Sequence, residues 1–167
     1  MREDLHGDVN PVLSALSVPL YTYLQEPLES VRPELQALLP AQLQHTGDPS
    51  LSYDVNWELY RALENKGALC VMVARRNSEI MGYAAAILHP HTNARKTIVG
   101  TIATWYVVES GMRGLIIRHL LTAGAEWLTQ RGAKQVYIET EYANSAGPIL
   151  ELMGFIPIKV GYKMAKP

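Results

Sequence analysis

The sequence predicts one α/β domain built on a mixed, mostly antiparallel sheet, and three observations carry that expectation. Strand-like and helix-like stretches follow each other as strand, two helices, three strands, helix, strand, helix, strand. The three central strands are joined by short polar connections, which makes them antiparallel, whereas a long helix precedes the next strand and permits a parallel return. The chain has 167 residues, 48% of them hydrophobic, enough for one core and too few for two. About six to seven strands and about four helices are therefore expected over residues 1–167.

The elements are justified in order. Residues 1–17 show no amphipathic pattern and contain Pro11, so they read as an N-terminal arm. Residues 18–26, VPLYTYLQE, alternate apolar and polar side chains and predict a strand. In ESVRPELQALLPAQLQH, Val31, Leu35, Leu38 and Leu39 share one helical face; Pro33 near the start costs little, and Pro40 predicts a break. HTGDPSLS is loop by composition. In YDVNWELYRALENKG, Asp54 is the expected cap, Val55, Leu59, Ala62 and Leu63 the expected buried stripe, and Gly67 the stop.

ALCVMVARR and EIMGYAAAILH read as two strands of a hairpin. PHTNARK reads as a polar loop before the long strand TIVGTIATWYVV. The helix after Gly114 carries Ile117, Leu120, Leu121, Gly124 and Leu128 at three- and four-residue spacing. KQVYIETEYA is the next strand, NSAGPILELMGF a short helix closed by Gly154, and IPIKVGYKM a final strand.

Several functions are disfavoured. A formal charge of −1 argues against coating nucleic acid, which calls for a basic excess. The lone Cys70 lies in an apolar run and reads as a buried, inert thiol. Pro90 between His89 and His91 prevents a helical ligand pair, and no metal site is expected. The opening MREDLHGDVN leads into no long apolar segment, so neither a signal peptide nor a membrane span is expected, and a cytoplasmic protein is the simplest reading.

From about Glu29 to Met164 the stretches RPELQALLPAQ, YDVNWELYRALENKGALCVMVAR, IMGYAAAILHPH, WYVVESGMRG, LLTAGAEWLTQRGAKQVYIET and LELMGF…GYKM appear in order. In these the chain resembles the GNAT superfamily of acyl-CoA-dependent N-acetyltransferases, in the variety common among phage and prophage genes. The resemblance implies the GNAT fold and acetyl-CoA as cosubstrate, without a metal. It implies an amine acceptor, either a small molecule or a protein lysine or N-terminus, and a cytoplasmic location, that of the host if phage-encoded. A homodimer is compatible with it; a membrane partner is not implied.

Carried over by position, Tyr106, Val107 and Val108 would line the pantetheine arm. Met112, Arg113, Gly114, Leu115, Ile116, Ile117 and Arg118 would cradle the pyrophosphate on the first amides of a helix, where donors lack internal acceptors and the dipole is positive. Asn144 stands one residue from the asparagine that contacts the cofactor in relatives. The usual loop pattern R/Q-x-x-G-x-G/A falls on Met112 to Ile117, with Leu115 on the middle glycine and Ile117 on the last glycine or alanine; shifted by one, Arg113 takes the first place but Ile116 and Arg118 replace the glycines, so neither frame recovers the motif. Isoleucine keeps the amide donors; what is at stake is clearance for the phosphates.

The acidic residue that relatives often carry on the preceding strand falls near Ala103, beside Thr104 and Trp105, and their helix tyrosine falls on Leu150. Substitute proton acceptors are Glu139 and Glu141, which alternate with Tyr137 onto one face of VYIETEY, with Tyr142 as an acid. The backbone amide of Val107 or Val108 would stabilise the oxyanion. His91, Asn93, Arg95 and Lys96 in PHTNARK stand where relatives shape the acceptor pocket. Two functions follow: an N-acetyltransferase acting on a primary amine by direct attack, or a GNAT-fold module that has lost catalysis and binds a host or partner protein.

Overall fold

The computed structural model describes residues 21–46, 54–108, 110–140 and 146–158. Five strands form one sheet in the order β1-β2-β3-β4-β5: β1 (Thr22–Gln25), β2 (Leu69–Arg76), β3 (Glu79–His91), β4 (Ala94–Val107) and β5 (Val136–Ile138). The first four are antiparallel neighbours and β5 lies parallel to β4. Four helices, α1 (Leu28–Thr46), α2 (Trp57–Asn65), α3 (Arg113–Gln130) and α4 (Gly147–Leu152), cover its two faces. Alternation along the strands sorts the core into two layers. Leu69, Val71, Val73, Tyr83 and Ala85 meet Leu28, Val31 and Leu35 of α1, while Cys70, Met72, Ala74, Ala84 and Ala86 meet Ile116, Leu120, Leu121 and Leu128 of α3.

The strand count is lower than expected, five among the described residues. Tyr137 and its neighbours pair over three residues only, and Ile156–Ile158 form no strand; the rest of the expected last strand lies outside the described residues, as do the arm at 1–17 and most of HTGDPSLS. β2 and β3 are joined at Asn77 and Ser78, both at positive φ (49° and 73°), the backbone of a tight hairpin turn.

Four local expectations are corrected. The first helix runs unbroken through Pro40, and Pro33 sits at its sixth residue, past the first turn; burial of Leu28, Val31 and Leu35 outweighs the lost backbone bonds. Asn56, not Asp54, caps α2: its Oδ1 accepts the amide of Leu59 at 3.0 Å. The inward side of α2 is Trp57, Tyr60, Leu63 and Glu64, with Leu59 and Ala62 exposed, because the two aromatic rings offer the larger apolar surface and set the rotation of the helix. PHTNARK is not a loop but the end of the β3–β4 hairpin, where His91 pairs with Ala94 across Thr92 and Asn93. Its polar side chains lie beyond the core, so the hydrophobic pattern that marks a strand is missing.

Candidate active site

The site is organised by a defect in β4. Ala85 pairs with Thr104 and Ala86 with Ile102, so Ala103 is an extra residue, a β-bulge. Upstream of it, Ile102 faces α3; downstream, Thr104 and Tyr106 face α1 while Trp105 and Val107 pack on the α3 side. One inserted residue thus turns the last quarter of the strand over.

The same region loses its neighbour. β5 pairs with β4 only at Gly100, Thr101 and Ile102. The final links are the amide of Glu139 to the Ile102 carbonyl and the Trp105 indole Nε1 to the Glu139 carbonyl, both 3.3 Å. Beyond them, no described strand flanks Thr104–Val107 on that edge. The amide of Val108 donates to the Met81 carbonyl at 2.9 Å, which removes it as an oxyanion donor. Ladder alternation then directs the peptide groups of Trp105 and Val107 toward the opening. Of the two expected donors, Val107 is the one that faces it.

At the end of β4 the chain turns into α3. Ile116 is fully buried and Ile117 is 7% exposed, both packed in the core layer with Leu120 and Leu121. Their side chains point at the sheet, away from the helix start. Leu115 is exposed, and a Cβ at Gly111 would meet nothing within 4 Å, while one at Gly114 would reach only Ile149 Cδ1 at 4.0 Å. Leu115 is therefore the one bulky side chain of Leu115, Ile116 and Ile117 left exposed at this turn. No side chain caps α3 at Met112, no acidic residue lies in its first turn, and the buried Ser110 hydroxyl has no partner among the described residues. Arg113 is half-buried and Arg118 exposed, on either side of the first turn.

Val136 and Ile138 pack on the α3 layer, so alternation places Tyr137, and Glu139 beyond it, on the α1 face. Glu139 is exposed. Glu141, Tyr142 and Asn144 lie outside the described residues, as does Glu109. Arg95 and Lys96 sit at the far end of β4; from Lys96 to Thr104 the strand advances about 26 Å. Those residues and His91 and Asn93 are thus separated from the opening. His119 is exposed, its ring 4.7 Å from that of Tyr23. Cys70 is 1% exposed and burial pushes its thiol to about 12, so it stays protonated and inert.

A cluster that sequence reasoning missed lies on the α1 face beside the bulge. The Tyr83 hydroxyl donates to Gln42 Oε1, and Gln42 Nε2 donates to Thr104 Oγ1 at 3.2 Å. These groups border a cavity of about 210 Å³ between α1, α2 and the sheet, walled also by Leu35, Leu39, Trp57 and Tyr60. Burial raises Tyr83 to about 12, which keeps it a donor at neutral pH. The one signal in the sequence is a lone tyrosine beside three alanines in GYAAAIL.

The site thus combines a sheet with helices on both faces, a bulged strand losing its neighbour, and an uncapped helix start beside it. The family model for the acetyltransferase (GNAT) family matches residues 29–155, and the chain belongs to that family. No curated protein matches. Among solved structures, the chain is similar to AAC(6')-Iy bound to a CoA-linked bisubstrate analogue (16% identity, 88% of this chain and 98% of that one, TM-score 0.67). It is also similar to a ribosomal-protein-alanine N-acetyltransferase from Brucella melitensis (15% identity, 88% and 98%, TM-score 0.66) and to a Trypanosoma brucei acetyltransferase (19%, 87% and 99%, TM-score 0.65). At these identities the likeness concerns the fold.

Proposed function

We propose that the chain transfers an acetyl group from acetyl-CoA to a primary amine by direct attack, with no covalent enzyme intermediate. The observation that supports this reading is the burial of Ile116 and Ile117 in the core, which takes two of the three bulky side chains at the α3 start out of the space before its amides and leaves Leu115 exposed there. In this reading Met112 to Arg118 hold the pyrophosphate, with Arg113 and Arg118 adding charge-assisted bonds, and the segment Tyr106 to Val108 runs along the pantetheine arm. Asn144 joins them by position. Acetyl-CoA supplies the acyl carbon: the amine nitrogen bonds to it, its bond to sulfur breaks, and the thiol takes up a proton equivalent to the one the amine loses.

The amide of Val107 stabilises the negative charge that develops on the carbonyl oxygen. Glu139, on the acceptor face, receives the amine proton directly or through water, with Glu141 and Tyr142 as further proton carriers. The fold neighbours include enzymes whose names state aminoglycoside and ribosomal-protein acceptors, so both small and protein amines belong to the family's range. No described helix is long and apolar enough to cross a membrane. A thermal-shift comparison with acetyl-CoA, CoA and no ligand tests the proposal. Saturable stabilisation is expected, about 2.7 kcal/mol at a hundredfold excess over Kd; no shift with millimolar acetyl-CoA would overturn it and leave the partner-binding module as the reading.

A further inference from the structure

We infer that the acceptor is a monoamine with a compact apolar body, aromatic or branched alkyl, seated in the cavity between α1, α2 and the sheet. The inference rests on the acetyl-transfer reading above. Three observations carry it. The cavity reaches Thr104, the first residue past the bulge, where β4 has lost its neighbour and an acyl group would be met. None of the described residues that line it is charged. Of its polar groups, Tyr83, Gln42 and Thr104 are bonded to one another, and Tyr60 and Trp57 add one hydroxyl and one indole N–H to a wall otherwise made of leucine, valine and alanine side chains.

Size and charge then select the ligand. At about 210 Å³ the space is below the ~300–1,000 Å³ of sites for drug-sized molecules, which suits one ring or one branched chain. A polycationic amino-sugar would leave ammonium groups unpaired against leucine and tryptophan, a cost that apolar burial does not return. A single amine at the Thr104 end gains from the same surroundings, because desolvation lowers the pKa of an ammonium and populates the neutral nucleophile. The apolar wall thereby does part of what a strand carboxylate does elsewhere, and Ala103 in place of an acid is consistent with it.

Calorimetric titration of the full chain with 2-phenylethylamine, neamine and a short lysine peptide tests this. Saturable binding of 2-phenylethylamine is expected, about tenfold or more tighter than either of the others. Leu39→Trp, filling the cavity from α1, and Ala85→Leu, filling it from the sheet, should each weaken that binding about tenfold or more while the thermal shift with acetyl-CoA stays unchanged. Equal or tighter binding of neamine or the peptide, no binding of 2-phenylethylamine, or unaltered binding in a variant that melts with the parent would each overturn it. The two proposals separate cleanly: binding of 2-phenylethylamine without any acetyl-CoA shift removes acetyl transfer and keeps an amine site. An acetyl-CoA shift without 2-phenylethylamine binding does the reverse.

Discussion

Leu115 and Ile117 stand where the phosphate-loop pattern calls for small residues; Ile117 and its neighbour Ile116 pack into the core, and Leu115 is exposed. Ile116 has no exposed surface, so Ile116→Ala should cost about 2–5 kcal/mol in urea denaturation; a loss below about 1 kcal/mol would mean that the side chain is not core. Glycines in the same layer are constrained differently. A Cβ at Gly100 would approach three side-chain atoms of buried Leu128 at 2.6 to 2.8 Å, so Gly100→Ala should destabilise by about 1–3 kcal/mol. Gly114→Ala, in open space on a helix, should be neutral or stabilise by up to about 1 kcal/mol. At the acceptor face, Tyr83→Phe removes the donor to Gln42 and should cost about 1–3 kcal/mol, read by the same denaturation.

Among the elements, the proposed function rests most on β4, because the bulge at Ala103 reverses its faces. Deleting Ala103 would return Thr104 and Tyr106 to the α3 side and Trp105 and Val107 to the α1 side, and should abolish both the cavity and amine binding. Helix α1, which walls that cavity, is tied to the sheet by Arg75. Its guanidinium donates to Glu26 of the β1–α1 connection (2.7 and 2.9 Å), to Glu34 of α1 (2.8 and 2.9 Å) and to the Ser78 carbonyl. The hydrogen bond from Arg75 holds the Glu34 carboxyl below its ordinary 4.5. A depressed carboxylate contributes stability that is present above its unfolded value and lost as pH falls through its folded value. Unfolding followed against pH should therefore show stability falling below pH 4.5, and Arg75→Met should flatten that part of the profile while lowering stability at neutral pH. An unchanged slope in the variant would mean that Glu34 is not the linked group.

For the molecule as a whole, the element order and the mixed, mostly antiparallel sheet were legible because most elements carry their own period. The α3 pattern Ile117, Leu120, Leu121, Gly124 and Leu128 is buried as its spacing implies, apart from the wider face that adds Ile116 and Trp127. The bulge was not legible: TIVGTIATWYVV is apolar at eight of its twelve positions and its threonines follow no strict two-residue period, so an inserted residue disturbs no visible alternation. The cavity was not legible either, since Gln42 and Thr104 lie 62 residues apart and only the packing of α1 on the sheet brings them together. Polar stretches misled in the opposite direction, as PHTNARK did, because a solvent-facing hairpin end has the composition of a loop. Whether the α3 start works as a phosphate cradle without its glycines is tested most directly by calorimetric titration of the full chain with CoA. Saturable binding, weakened by high salt and by Arg113→Ala or Arg118→Ala, with the effect of each substitution shrinking as salt rises, is the expected result; no binding heat at millimolar CoA would contradict it.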